Sequence, residues 1–146
     1  MTAKESPPDL VVLDASFVLR FVLHTQAPRP HPAGLTLMKN AELLVPLLWN
    51  AEIANALVQA ERRGAAPPAR IGAALSLING LNPLVDATPV NVIRNLEIAR
   101  AYGLTAYDAL YFELALRRNA ALATYDATLI AAAPSAGIRL YPPAPA

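Results

Sequence analysis

Apolar and polar positions divide the chain into two kinds of segment. Short apolar runs of strand length occur at residues 9–14, 43–46, 84–85, 121–124 and 138–140. The first, Asp9-Leu10-Val11-Val12-Leu13-Asp14, is unbroken between its two acids. Such runs suit strands buried on both faces of a parallel sheet. Between them, apolar residues recur at helical spacing. Ala15 to Leu23 predicts a short helix with Phe17, Val18, Phe21 and Val22 on one face. Leu48 to Arg63 is the clearest helix, with Ile53, Leu57 and Ala60 in register, Arg62 and Arg63 in the last turn and Gly64 as the stop. Pro67-Pro68 opens a second helix to about Ile78, and these two are expected to form a hairpin. Thr88 as N-cap and Pro89 at the first helical position start a helix that runs through Tyr102 to Gly103. Thr105 to Arg118 and Ala127 to Ala132 read as helices, and Leu35 to Ala41 as a helical piece. Three prolines in residues 26–34 remove donors and fix φ, so this stretch is read as a loop. Strands alternating with helices predict an α/β fold, a parallel sheet with helices on both faces.

Composition bounds this picture. At 146 residues the chain is read as one domain, 1–146, with tails at 1–8 and 142–146. Its apolar content of 55% exceeds the usual ~45–50% and supports a sizeable core. No apolar run reaches the ~18 residues of a membrane span, and the start lacks a signal-peptide core, so a cytoplasmic protein is expected. The absence of cysteine removes disulfides and thiolate metal sites. A net charge of +1 supplies no global attraction for nucleic acid. Ten of the twelve basic residues are Arg, which suits phosphate contacts but also accompanies Arg- and Ala-rich coding.

The chemistry resides in the acids. Ligand sites in such sheets lie outside the carboxyl ends of the strands. Asp14 and Asp126 each stand at a predicted strand exit; Glu52 lies early in the long helix after the second strand, and Asp108 in the first turn of its own helix. Taken singly, each has an ordinary structural role: Asp14 or Asp126 as a helix N-cap, Thr105-x-x-Asp108 as a capping box, Glu52 as an acid favoured near a helix N-terminus. Taken together, they form a cluster at one edge of the fold. Two carboxylates about 4 Å apart repel by roughly 4 kcal/mol at an effective dielectric of about 20. A cap contributes only about 0.5–2 kcal/mol. The cluster is therefore expected to take up protons or hold a cation, and oxygen ligands alone select a hard one, Mg²⁺ or Mn²⁺. His24 and His31 lie at or in the proline-rich loop, which argues against zinc and against a histidine base.

These residues sit in motifs that resemble a known family. Val11-Val12-Leu13-Asp14-Ala15-Ser16, the stretch Pro46 to Leu57 with Glu52 and Asn55, Leu104 to Tyr111 with Asp108, and Leu122 to Leu129 with Thr124 and Asp126 resemble, in order, the motifs of PIN-domain ribonucleases. The nearest likeness is to VapC-type toxins of bacterial toxin–antitoxin pairs, and it covers about residues 10 to 141. The resemblance implies a PIN-like three-layer sandwich and a Mg²⁺- or Mn²⁺-dependent endoribonuclease using one or two ions, silenced by a cognate antitoxin and homodimeric. It assigns Asp14, Glu52, Asp108 and Asp126 to catalysis and the metal, Thr124 to a supporting hydroxyl, and Asn55 and Ser16 to positions beside them.

Departures and alternatives stand next to that reading. Residues 26–34 are proline-rich where the family usually carries an earlier helix. Arg20, Arg94 and Arg100 are candidates for RNA phosphate contact, with an ordinary surface arginine as the other reading of each. Asn55 and Thr105 have plain roles as an exposed helix polar and an N-cap. A catalytically silent PIN-like module that binds RNA or protein is the main alternative function, although none of the four acids is missing. A nucleotide-binding or receiver-like domain lacks its signatures here: there is no Gly-x-Gly-x-x-Gly, no Gly-Lys-Ser/Thr and no lysine after Lys39.

Overall fold

The computed structural model describes residues 8–23 and 30–142. Its centre is β1 (Leu10–Leu13), in which Val11, Val12 and Leu13 are wholly buried. An all-apolar strand of this kind needs cover on both faces, and a parallel sheet layered by helices supplies it. β1 pairs with β2 (Glu42–Pro46) on one side and β4 (Ala121–Ala123) on the other. β3 (Leu84–Asp86) lies beyond β2, and β5 (Leu140–Tyr141) beyond β4. The order is β3-β2-β1-β4-β5 and every pairing is parallel.

Seven α-helices among the described residues clothe this sheet in a three-layer, PIN-like α/β sandwich. α1 (Ala15–Leu23), α3 (Leu48–Arg62) and α4 (Pro68–Leu81) pack on one another. α6 (Ala106–Arg118) lies along β1, β2 and β4, with α5 (Val92–Tyr102) against it. α2 (Ala33–Asn40) precedes β2, and α7 (Ala127–Ala132) follows β4. The predicted face of α1 is the buried one, as are Ile53, Leu57 and Ala60 of α3. Gly64 and Gly103, with φ of 67° and 65°, end or follow their helices in the left-handed conformation that glycine adopts without strain.

Several boundaries differ from those expected. Ala33 and Gly34 belong to α2 rather than to a loop, because Pro32 at the N-cap already has helical angles. A side chain at Gly34 would collide with the rings of Phe21 and Phe17, so the glycine lets α2 approach α1 closely. The remainder of the expected loop, with His24, lies largely outside the described residues. α4 continues past Ile78 to Leu81, where Asn82 takes φ 43°. α5 starts at Val92, not at Thr88-Pro89. The Thr88 amide is committed to Asp86 Oδ1 at 2.9 Å, and Asn91 Oδ1 caps the helix by accepting from Arg94 N at 3.0 Å. β5 is shifted toward the C-terminus from the expected 138–140, because the Ile138 amide closes the preceding turn onto Ala133 O at 3.1 Å.

Candidate active site

Register creates the centre of the site. Leu13 pairs with Ala123, so Asp14 and Thr124 leave the sheet side by side. The Asp14 amide extends the ladder by donating to Ala123 O at 3.0 Å. Its carboxylate is only 5% exposed, and Oδ2 accepts from Ser16 Oγ at 2.5 Å and Thr124 Oγ1 at 2.7 Å. Those hydroxyls are themselves held: Ser16 Oγ accepts from Tyr125 N at 3.1 Å, and Thr124 Oγ1 from Asp126 N at 2.9 Å. Ser16 and Thr124 thus both donate to one oxygen of Asp14.

The other acids arrive on helix N-terminal regions. Asp126 caps α7, with Oδ1 accepting from Thr128 N at 2.9 Å and Leu129 N at 3.0 Å. Asp108 stands in the first turn of α6, whose N-cap, Thr105, accepts from the Asp108 amide at 3.1 Å. Glu52 projects from α3, and its Oε1 accepts from Tyr111 Oη at 2.5 Å. Sequence pattern alone assigns Tyr111 no role. The available signal was its place three residues after Asp108, on the same side of the helix.

Asp14, Glu52, Asp108 and Asp126 all line one open cleft of about 280 Å³, together with Ser16 and Asn55. Burial pushes the Asp14 carboxyl up to about 6; hydrogen bonds from Ser16 and Thr124 oppose this, and the charges of Glu52 and Asp108 add to it. Burial also raises Glu52, against the Tyr111 hydrogen bond and with the Asp108 charge. Asp108 is raised by burial and by Asp126, against a hydrogen bond from Thr105. The couplings run Asp14–Glu52–Asp108–Asp126, so the cluster acts as one electrostatic unit. No ion pair relieves it: the salt bridges among the described residues join Arg117 to Asp86 and to Glu113, elsewhere in the fold.

The donor set fits a hard divalent cation, since the carboxylates and the Ser16 hydroxyl in the cleft offer oxygen. It is nevertheless not a finished cage. Among the described residues no group of three or more His, Cys, Asp or Glu stands in a ready-made metal-binding arrangement.

The expected arginines fall in different places. Arg20 lies over the Tyr125 ring, 4.6 Å from its centroid, and that ring stacks on Phe17 at 5.1 Å. Tyr125 is flanked by Thr124 and Asp126, so Arg20 borders the acidic region. Arg94 lines a separate and larger cavity of about 500 Å³ with Leu47, Val90 and Arg117. Arg100 is exposed in the last turn of α5. Neither lines the acidic cleft.

Among solved structures, the chain is similar to the crystal structure of PAE2754 from Pyrobaculum aerophilum, with a TM-score of 0.59 and 25% identity over 83% of this chain and 82% of that one. A search of curated proteins returns no significant match. No helix among the described residues is long and apolar enough to cross a membrane. The sequence model of the PIN domain, a fold that is generally a nuclease and typically metal-dependent, matches residues 11–133, and this chain belongs to the PIN domain family.

Proposed function

We propose that this chain is a Mg²⁺- or Mn²⁺-dependent endoribonuclease of the VapC type, the toxin of a toxin–antitoxin pair. One observation carries the reading: Asp14, Glu52, Asp108 and Asp126, from four separate segments, line a single cleft. These residues would hold one or two ions. A bound ion of that class activates water as the nucleophile and neutralises charge on phosphate and leaving oxygen. The chain's own part is to fix the oxygens. Ser16 and Thr124 hold Asp14, the α7 amides hold Asp126, Tyr111 holds Glu52, and Asn55 adds an amide to the cleft wall.

The wider assignment follows the family likeness: an RNA substrate, a small antitoxin protein, a cytoplasmic setting and a homodimer. The homodimer has support in large exposed apolar side chains at Leu47, Val90, Val92, Ile93 and Leu96, a surface that isolated proteins seldom leave open. The test is incubation of purified protein with RNA in Mg²⁺, Mn²⁺ or chelator. Cleavage that needs metal and disappears in Asp14→Asn is the expected result; cleavage indifferent to both refutes the assignment. A silent binding module is the second reading, favoured by the lack of a ready-made ion arrangement. It predicts RNA or protein binding with no cleavage under any metal.

A further inference from the structure

In three of the four acids that line the cleft, one carboxylate oxygen is engaged by the protein. Asp14 Oδ2 receives Ser16 and Thr124, Asp126 Oδ1 receives two α7 amides, and Glu52 Oε1 receives Tyr111. Among the described residues no hydrogen bond reaches the second oxygen of any of them. For Asp14 and Asp126, short side chains beside the backbone, the restraint is local. Glu52 is different. It is a long side chain on α3, half-buried, and its restraint comes from another helix. Tyr111 is wholly buried in the core, so the anchor is itself held by packing.

The two classes of hard cation treat such a carboxylate differently. Ca²⁺ accepts six to eight oxygens and often takes both from one carboxylate, whereas Mg²⁺ demands a small octahedron and takes single oxygens alongside waters. We propose that Tyr111 is a positioning residue that sets the cation preference of the cleft. By holding Oε1 through one of its two lone pairs, it crowds that oxygen and fixes the plane of the Glu52 carboxylate, which favours the single-oxygen contact of Mg²⁺ or Mn²⁺ and disfavours the two-oxygen grip of Ca²⁺. Holding Glu52 in place beforehand also removes the ordering cost of a flexible side chain when the ion binds. This inference rests on the metal-dependent reading of the same cleft.

The experiment is calorimetric titration of Mn²⁺ and, separately, Ca²⁺ into wild type, Tyr111→Phe, Glu52→Ala and the double variant at neutral pH, each checked for folding by circular dichroism. Wild type should bind Mn²⁺ more tightly than Ca²⁺. Tyr111→Phe should lose about tenfold in Mn²⁺ affinity, the scale seen when a partner of a metal-binding group is removed, with Ca²⁺ unchanged or tighter. In the Glu52→Ala background the tyrosine substitution should change Mn²⁺ affinity by less than about twofold, because its route of action is gone. Glu52→Asp, one methylene too short to keep the phenol bond, should reproduce the lost preference and serves if Tyr111→Phe does not fold. An unchanged Mn²⁺-to-Ca²⁺ ratio, or a tyrosine effect that persists without Glu52, overturns the assignment to Tyr111 while leaving the metal reading intact. A wild type that binds neither ion overturns the metal reading and this inference with it.

Discussion

Replacing Asp14 by Asn should stabilise the metal-free protein at neutral pH, and the advantage should vanish in acid. Burial, reinforced by Glu52 and Asp108 and opposed by Ser16 and Thr124, raises this carboxyl from 3.8 to about 6. A folded pKa above the unfolded one means that the native state holds the proton more tightly. The stability contributed by that proton is therefore complete below pH 3.8 and is lost as pH rises through about 6. A shift of about two units corresponds to about 3 kcal/mol across the whole window, of which about 2 kcal/mol falls between about pH 4.5 and 7.5. Asn carries no charge at either pH, and the Ser16 and Thr124 hydroxyls can still donate to its carbonyl oxygen. The stability of Asp14→Asn relative to wild type should accordingly rise by about 2 kcal/mol over that interval, or about 4–8 °C in melting temperature. Urea unfolding in chelator at a series of pH values measures it. A difference that stays flat with pH, or that falls as pH rises, refutes the claim that this carboxylate is held under electrostatic stress.

Other perturbations reach different parts of the structure. Mg²⁺ or Mn²⁺ at about 100 times its dissociation constant should stabilise wild type by about 2.7 kcal/mol; Asp108→Asn should leave the metal-free protein unchanged or more stable and abolish that response in a thermal scan. Burial alone would raise Asp86, but hydrogen bonds from Arg117 and Thr88 outweigh it and hold the group at about 2, so its stabilising effect is present above pH 3.8 and lost as pH falls through about 2. Arg117→Met should cost about 1 kcal/mol at neutral pH, shrinking toward pH 2 in acid unfolding curves. Ile93→Glu, at a side chain 71% exposed, should leave the fold intact by circular dichroism and convert a dimer to monomer by light scattering; a dimer that persists moves the interface elsewhere.

The legible parts of this protein were those in which local pattern and global need agree. Residues 10–13 could only be a doubly covered strand, and a strand exit carrying an acid, as at Asp14, marks the carboxyl edge whatever surrounds it. Strand exits at Asp14 and Asp126, with helix N-terminal turns at Glu52 and Asp108, assigned the four acids to one edge, and all four line one cleft. Where local signals competed, tertiary commitments decided. Thr88-Pro89 is a good helix start in isolation, yet the Thr88 amide is taken by Asp86 and Asn91 caps instead. Ile138 is apolar and β-branched, yet its amide closes a turn rather than joining the ladder. Tyr111 reads as core because it is core, with 0% exposure; only the meeting of α3 and α6 reveals that its one polar atom reaches Glu52. The spacing of the four acids was equally hidden, since strand exits specify an edge but not the spacing of the side chains along it.

The pairing of β1 with β4 has a consequence for how the chain comes into being. Leu13 and Ala123 are register partners across most of the polypeptide, so Thr124 reaches Asp14 only after residues 121–124 have been translated and have inserted beside the first strand. Contacts between residues so far apart form late, because a long loop must close before they contribute anything. A nascent or prematurely terminated product that ends before β4 therefore lacks both Thr124 and Asp126. Such a product has one cleft acid fewer, and its Asp14 lacks the Thr124 hydroxyl that holds it.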